Sequence, residues 1–342
     1  MKRILALVLV ALLLTGCAPT AEKVETTQQY TATFLTLFDT VTTIIGRAES
    51  EAAFQEASQA IHDDLEVYHQ LFDIYNEYAG VNNLKTINDN AGIAPVKVDQ
   101  AIIDLLKDCR KYYDLTGGRV NAAMGSVLHL WHEARYDGIN DPANAKLPEM
   151  EALQEASEHC SFDAVIIDEA ASTVYLEDPL MRLDVGAIAK GWATQRAAEN
   201  APKGMLLSVG GNVCATGPKL SDGTPWVIGI QDPDAADKNL HTVFITENSV
   251  VTSGDYQRSY WVDGKPYHHI IDPDTLMPAA YWRSVSIICA DSGLADALST
   301  ALFLMDREAG TALAESCGAE VLWVAADGSE YMTDGFQKML RT

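Results

Sequence analysis

The segment from Val251 to Pro278 places several reactive types of side chain on two short predicted strands. It contains a hydroxyl at Ser253, a guanidinium at Arg258 and an imidazole at His269. An Asp-Gly pair between the strands predicts a tight hairpin turn. Polar side chains concentrated at strand ends are typical of binding or catalytic sites, so we interpret the segment as part of a site. The alternative is a polar hairpin without a function.

A second candidate lies between Asp184 and Trp192, where a predicted strand passes into a predicted helix. A glycine occupies the turn, and Lys190 falls in the first helical turn. The backbone N–H groups at a helix N-terminus attract anions, and a lysine there adds positive charge. The pattern predicts an anion site, and an ordinary turn with a surface lysine fits it equally well.

A third candidate is the pair Asp296 and Thr300 on a predicted helix from Gly293 to Met305. Residues four apart lie on the same helix face, so both oxygens project in one direction. The neighbouring side chains are apolar, and burying bare polar groups among them is costly. A hard cation such as Mg²⁺ is a natural partner for this pair. The alternatives are an exposed helix face and a hydrogen bond to a nearby loop.

Composition limits the classes of function that the chain can have. Its 342 residues suffice for one large domain or for two closely packed ones, and 48% of them are apolar. A formal charge of −24 argues against nucleic acid as a partner, because polyphosphate binders need a basic face. A small phosphate-bearing ligand is still compatible with this charge. The cysteines form no CxxC pair, so we expect free thiols and no zinc ribbon.

The N-terminus is typical of an exported lipoprotein. Lys2 and Arg3 precede an apolar run that ends in Leu14-Thr15-Gly16-Cys17, as in a lipobox. We therefore predict a signal peptide at 1–16, a lipidated Cys17 with a polar tether at 17–30, and one domain at 31–342. The protein is then anchored by lipid on the extracytoplasmic face of the cell membrane. The alternative is an ordinary secretory signal with a chance cysteine.

Further elements must position these candidates. An apolar stripe predicts an amphipathic helix from Glu49 to Phe72, with His69 off the stripe and facing solvent. Short β-rich runs predict a meander that ends in a strand from Met181 to Val185. An acidic loop is expected from Asp232 to Asp237. The sequence lacks GxGxxG, Walker A, HExxH and GxSxG patterns, which removes the main support for four common enzyme folds.

Eight short segments, taken in order, together carry a family resemblance. They are Phe38-Asp39-Thr40, Phe72 to Tyr75, Gly118 to Asn121, Leu183 to Gly191, Ser208 to Asn212, Thr252 to Asp255, His269 to Pro273 and Ala295 to Thr300. In this order they resemble the ApbE family, the FAD:protein FMN transferases. The resemblance covers nearly all of the chain from Phe34 onward.

The resemblance implies an α+β fold, with antiparallel sheets flanked by helices and a flavin site between two lobes. It implies that FAD is cut at its pyrophosphate, that FMN passes to a threonine hydroxyl of a target flavoprotein, and that AMP leaves. The implied FAD contacts are Phe38, Tyr75, Arg119, Val120, Asn121, Asp184, Lys190 and Ile271. The implied Mg²⁺ ligands are Asp296, Thr300 and the backbone carbonyl of Ala187.

Two residues are expected to act in the phosphoryl transfer. Such reactions depend on charge neutralisation and alignment, so Lys190 and Mg²⁺ are expected to stabilise the developing charge. We hypothesise that His269 is the general base for the acceptor hydroxyl, because the ordinary pKa of histidine lies near neutrality. The alternative is that His269 only orients the loop at Asp272-Pro273.

Three positions depart from the pattern of the family. It often has Met-Gly-Thr in place of Phe38-Asp39-Thr40, an aspartate in place of Asn121 and a glycine in place of Leu276. Packing on the isoalloxazine ring and a second metal contact near Asn121 are the properties that these departures affect.

Two other functions use the same residues. A Mg²⁺-dependent FAD pyrophosphatase would have water in place of the threonine, and a flavin-binding lipoprotein would carry out no catalysis. The transferase interpretation implies exported or membrane flavoproteins with a threonine acceptor motif as partners.

Overall fold

A computed structural model describes residues 27–341 of the chain. The predicted signal peptide, Cys17 and most of the predicted tether lie outside the described residues. The first strand begins at Gln28, so the last residues assigned to the tether belong to a sheet. The folded part therefore starts slightly earlier than predicted.

Nine α-helices occur within the described residues. They are α1 (Glu51–Phe72), α2 (Leu84–Asp89), α3 (Gln100–Leu115), α4 (Gly125–Asn140), α5 (Met150–Ser157), α6 (Ala189–Asn200), α7 (Ser292–Phe303), α8 (Arg307–Ser316) and α9 (Asp334–Met339).

Fifteen strands occur in the same range. They are β1 (Gln28–Phe34), β2 (Thr42–Ala48), β3 (Val96–Lys97), β4 (Val165–Asp168), β5 (Thr173–Leu176), β6 (Leu206–Val209), β7 (Asn212–Ala215), β8 (Trp226–Asp232), β9 (Ala235–Ile245), β10 (Ser249–Gly254), β11 (Ser259–Val262), β12 (Lys265–His268), β13 (Ser284–Cys289), β14 (Glu320–Val324) and β15 (Glu330–Met332).

An eight-stranded sheet forms the centre of the fold, in the order β1-β2-β6-β7-β10-β13-β14-β15. Every neighbouring pair in it is antiparallel. Smaller sheets pair β3-β5-β4, β8-β9 and β11-β12. Helices and antiparallel sheets are thus combined in one chain, which confirms the predicted α+β class.

The central sheet is buried on both faces. Val251 of β10 points into the main core with α1, α6 and α7, while its neighbour Val250 points into a second cluster with β8, β9 and α9. Successive side chains of a strand alternate between faces, so one apolar pair serves both cores. Burial on both faces explains why β13 is buried along its whole length.

A third cluster lies apart from the two faces of the sheet. It joins α4, α5 and the β11–β12 hairpin through buried side chains such as Val127, Trp131 and Tyr260. The Trp131 indole N–H donates to the carbonyl of Leu276 at 2.9 Å, which ties this cluster to the loop after β12. The predicted Asp-Gly turn closes the hairpin, with Asp263 at φ 50° and Gly264 at φ 76°.

Two local predictions were wrong. The run from Met181 to Val185 is not a strand, because Asn88 side-chain atoms bond both the N–H and the carbonyl of Leu183 and so replace a strand partner. The acidic segment from Asp232 to Asp237 is not a loop, because β8 runs to Asp232 and pairs with β9 from Ala235, which leaves only residues 233 and 234 for the hairpin turn.

None of the helices within 27–341 is long and apolar enough to cross a membrane. The apolar run near the N-terminus lies outside this range.

Replacing Gly191 with Ala tests how closely α6 and α7 pack. A Cβ atom at Gly191 meets the Ser292 carbonyl oxygen at 2.3 Å and the Asp296 Cβ at 2.4 Å, so the helices must separate. We expect Gly191→Ala to lower the free energy of unfolding by about 1–3 kcal/mol in urea titrations. Glu199→Ala, on the exposed face of α6, is the control. Equal stability of the two variants contradicts this packing constraint.

Candidate active site

A cavity of about 440 Å³ lies between the main core and the third cluster. This volume is within the usual range of small-molecule sites. The structure brings all of the predicted site residues to the walls of this cavity: Phe38, Tyr75, Arg119, Val120, Asn121, Asp184, Ala187, Lys190, His269, Ile271, Asp296 and Thr300. They come from distant parts of the chain, so only the folded protein assembles them.

The contact between α6 and α7 forms one wall of the cavity. The backbone N–H of Gly191 donates to Asp296 Oδ2 at 2.7 Å, and the Lys190 ammonium lies 3.9 Å from the same oxygen. Lys190 also donates to the Gly186 carbonyl at 3.3 Å. The lysine and the helix N-terminus therefore lie beside one buried carboxylate.

Asp296 is only 4% exposed, and this burial raises the pKa of its carboxyl group. Lys190 and the Gly191 N–H oppose that shift but do not cancel it. Asn212 lies near enough to lower the pKa as well, although its own amide nitrogen is buried with no hydrogen-bond partner among the described residues. A cation would satisfy this carboxylate better than its present neighbours do.

The predicted metal ligands fit a hard cation. The Thr300 hydroxyl is half-buried on the cavity wall and makes no hydrogen bond within residues 27–341. It follows Asp296 by one helical turn, and the turn that contains Ala187 lines the same cavity. A carboxylate, a hydroxyl and a carbonyl are the oxygen donors that Mg²⁺ takes in proteins.

The turn before α6 is held by its own aspartate. Asp184 Oδ1 accepts the N–H of Gly186 at 2.8 Å, which fixes the turn that presents Ala187 and Lys190 to the cavity. The strand end predicted here is replaced by this turn, but the helix begins at Ala189 and so has Lys190 in its first turn, as predicted.

The loop between β1 and β2 forms another wall and carries backbone strain. Phe38 and Asp39 both have positive φ values, 53° and 52°, which are costly for residues with a side chain. The Phe38 N–H donates to His69 Nδ1 at 3.2 Å and so holds the loop on α1. The predicted solvent-facing position of His69 is therefore wrong, because this loop covers the second face of α1.

Tyr75 stands at the mouth of the cavity and is 49% exposed. Its hydroxyl lies 3.3 Å from His132 Nδ1, and the two rings are 4.9 Å apart. Arg135 Nη2 lies 3.1 Å from the same His132 nitrogen. His132 and Arg135 belong to a helix that the sequence analysis did not connect with the site.

The segment from Arg119 to Asn121 is fixed by side chains at both ends. Arg119 pairs with Asp274 at 2.6 Å and with Asp272 at 3.4 Å. Asn121 donates to the Cys160 carbonyl at 2.9 Å and accepts the Ala123 N–H at 2.9 Å. Both ends of the Asn121 amide are thus occupied by backbone, so this residue shapes the wall. A smaller cavity of about 280 Å³ adjoins this segment.

The adjacent histidines have different surroundings. His268 bonds the Ala279 carbonyl at 2.9 Å and the Ile270 N–H at 3.2 Å, so this histidine orients the loop after β12. His269 faces the cavity and makes no hydrogen bond within residues 27–341. The surrounding protein, and then Arg258 and other nearby cations, lower the pKa of His269 from 6.5 to about 3. It is neutral at pH 7, and solvent in the open cavity still reaches its ring.

A family model described as the ApbE family matches residues 34–323. The chain belongs to the ApbE family. An FAD:protein FMN transferase from Treponema pallidum (strain Nichols) is 36% identical over 263 residues, which is 71% of this chain and 71% of that protein. One from Klebsiella pneumoniae (strain 342) is 33% identical and covers 71% of this chain and 76% of that protein.

Solved structures have the same fold. A crystal structure of an ApbE protein from Thermotoga maritima MSB8 has a TM-score of 0.81 and 31% identity, covering 92% of this chain and 100% of that one. The flavin transferase ApbE from Vibrio cholerae has a TM-score of 0.74 and 23% identity, with the same coverage. The ApbE-like fold that the resemblance implied is confirmed.

Two departures from the usual ApbE pattern fall at left-handed backbone positions. Asp39 at φ 52° and Leu276 at φ 59° stand where the family often has glycine, which adopts such angles without strain. Leu276 is 7% exposed and packs in the third cluster, so burial of its side chain offsets the strain. The backbone at these positions does not require glycine in this chain.

Replacing Asp296 with Asn tests the burial of this carboxylate. Its folded pKa lies above the usual 3.8, so without a metal the folded state favours the protonated form. Stability is therefore lost as the pH rises from 3.8 through the folded pKa. We expect the free energy of unfolding of Asp296→Asn to be higher than that of the wild type by about 1–3 kcal/mol at neutral pH in EDTA. Below the pKa of the unfolded state, the two proteins should be equally stable.

Urea unfolding across a pH series, with and without Mg²⁺, measures this difference. Added Mg²⁺ is expected to stabilise the wild type and the control variant Asp137→Asn, which changes an exposed residue, but not Asp296→Asn. If Asp296→Asn is less stable than the wild type at neutral pH in EDTA, the prediction is wrong. Gly191 and Lys190 then already compensate the negative charge of Asp296.

Proposed function

We propose that this protein transfers the FMN part of FAD to a threonine hydroxyl of a target flavoprotein and releases AMP. The observation that carries the proposal is the convergence of the predicted residues on one cavity, around the Gly191–Asp296 contact. Family membership gives the reaction class, since the relatives from Treponema and Klebsiella are named FAD:protein FMN transferases.

The reaction exchanges one ester partner of a phosphorus atom for another. The acceptor oxygen loses its proton and bonds to the phosphorus on the FMN side, while the bridging P–O bond to AMP breaks. The products are a phosphoester-linked FMN, AMP and a proton. Phosphoryl transfer needs alignment and charge neutralisation more than covalent help, and the cavity offers both.

Asp296, Thr300 and the Ala187 carbonyl would hold Mg²⁺ in this proposal. When bound, this ion neutralises phosphate charge and helps to align the pyrophosphate. The Gly191 N–H donates to one carboxylate oxygen of Asp296, so the other oxygen would be available to the cation. Lys190 lies close to the same carboxylate and can neutralise phosphate charge from the N-terminus of α6.

His269 is our proposed general base. Its neutral imidazole has a free nitrogen in the cavity, while His268 already orients the neighbouring loop. A pKa of about 3 makes it a weak base in the protein without substrate. An anionic pyrophosphate nearby raises the pKa of an imidazole, so FAD binding would strengthen this base.

FAD pyrophosphatase activity is a second candidate because the cavity is open to solvent at Tyr75. Water that enters there can take the place of the acceptor hydroxyl. A lipid anchor at Cys17 would place the protein on the extracytoplasmic face of the membrane, where exported and membrane flavoproteins are the available acceptors.

The first test combines protein lacking the residues before Thr20 with FAD, Mg²⁺ and an acceptor that contains the threonine motif of the family. We expect the acceptor to gain the mass of one FMN residue, with AMP released in equal amount. Asp296→Ala should reduce the rate by about 100-fold or more and Thr300→Ala by about 10-fold or more, because each removes a metal ligand. Asp137→Asn and Thr311→Ala are matched controls.

The two products separate the candidate functions. AMP and free FMN without an acceptor adduct would favour the pyrophosphatase. FAD binding without release of AMP and without FMN formation or transfer would favour a flavin-binding protein. It would contradict both catalytic proposals.

Replacing His269 with Asn tests the base. We expect kcat for transfer to fall by about 10²–10⁴-fold, with the Kd for FAD nearly unchanged, because the change removes a proton acceptor and keeps the shape of the wall. Stopped-time mass spectrometry gives the rate, and flavin fluorescence gives the Kd. His129→Gln, on α4 and away from the cavity wall, is the control. An unchanged kcat removes His269 from the mechanism.

A further inference from the structure

Two arginines in the cavity have no acidic partner. Arg135 of α4 and Arg258, in the segment between β10 and β11, both line the cavity. Within residues 27–341, Arg258 makes no hydrogen bond or ion pair, and Arg135 bonds only the His132 ring. Their guanidinium groups are therefore available to a ligand.

A shortage of carboxylates does not explain these free cations. The chain has 48 acidic and 24 basic residues, and several other arginines, although not all of them, pair with nearby acids. Arg110 pairs with Asp114 and Asp163, and Arg283 pairs with Asp234 and Asp255. Four acidic and four basic side chains line the cavity, and Arg135 and Arg258 are the two of these cations that make no ion pair among the described residues.

The two guanidinium groups also lie near each other. Burial, and then the charge of Arg258, lower the pKa of Arg135, and both arginines act on the His269 ring. Asp184 offsets part of the charge of Arg135 but forms no ion pair with it. Two guanidinium groups held close together repel each other, so an anion that binds between them is favoured. The planar fork of a guanidinium group matches the oxygens of a phosphate.

We propose that Arg135 and Arg258 form a cationic clamp for a phosphate of FAD, separate from the Asp296–Thr300 pair. The inference rests on the proposed function, because it takes FAD as the ligand. FAD carries two negative charges on its pyrophosphate, and its cleavage products carry one more in total. A clamp of two cations beside His269 therefore suits both the bound substrate and the charge that develops during transfer.

Ligand titrations without an acceptor test the clamp. Wild type, Arg135→Gln, Arg258→Gln and the double variant are titrated with FAD, FMN, AMP and riboflavin at several salt concentrations. We expect each single change to raise the Kd for FAD about 10-fold, with riboflavin unaffected, because a charged hydrogen bond is lost. The salt dependence of FAD binding should become weaker in the double variant.

Control variants separate charge from packing. Arg110→Gln removes an exposed, ion-paired arginine outside the cavity and should leave all four Kd values unchanged. Arg258→Lys keeps the charge and should restore part of the FAD affinity. Circular dichroism melts check that each variant is folded. A selective loss of FMN or AMP affinity identifies which phosphate the clamp contacts.

Three outcomes overturn the clamp. These are unchanged FAD affinity in the double variant, an equal loss of riboflavin affinity, and normal FAD binding combined with a higher KM for the acceptor in a separate transfer assay. The last outcome would assign the arginines to acceptor contact. The titrations measure binding and not transfer, so they test the clamp separately from the transferase activity. If the wild type binds FAD through the two arginines but transfers no FMN, the clamp is supported and the transferase proposal is rejected.

Discussion

The close contact between α6 and α7 is the constraint on which the site depends. A glycine at 191 lets the two helices approach until its N–H reaches the Asp296 carboxylate at 2.7 Å. Any larger residue meets the backbone of Ser292 and the Asp296 side chain. This hydrogen bond thus fixes the relative positions of the buried Asp296 carboxylate, the N-terminus of α6 and Lys190 in its first turn.

The central sheet packs against this helix pair. Ser253 of β10 bonds Ser299 of α7 through their hydroxyl groups at 2.8 Å, so the strand and the helix that carries the candidate metal ligands are joined directly. The remaining walls come from the strained loop at Phe38 and from the third cluster. Strain of this kind persists only where surrounding contacts hold it, and it is common at functional sites. Here the His69 ring supplies one such contact.

Acidic and basic side chains are equal in number on the cavity wall, although the chain as a whole is strongly acidic. The protein carries a formal charge of −24, yet Lys190, Arg135 and Arg258 face one cavity whose buried acid has a raised pKa. Cations placed in this way favour a ligand with phosphate groups. Burial, and then nearby positive charge, lower the pKa of His269 because both disfavour its protonation.

The sequence by itself determined much of the local structure. The four-residue spacing of Asp296 and Thr300, the start of α6 near Lys190 and the Asp263-Gly264 turn follow from helix periodicity and turn chemistry, and the structure has all three. The order of short motifs indicated the family, which the comparisons confirm. These features depend on residues that are close in sequence, so the sequence alone predicts them.

Tertiary structure alone decided which groups meet. Gly191 and Asp296 are 105 residues apart, and Asn88 replaces a strand partner for a segment 95 residues away. His69 changes from a solvent-facing residue to a support of the site because a loop folds over it. Long-range contacts of this kind depend on how the helices and strands pack against each other, and the local periodicity of the sequence does not predict that packing. The same holds for the pKa values of Asp296 and His269, which burial and distant charges set.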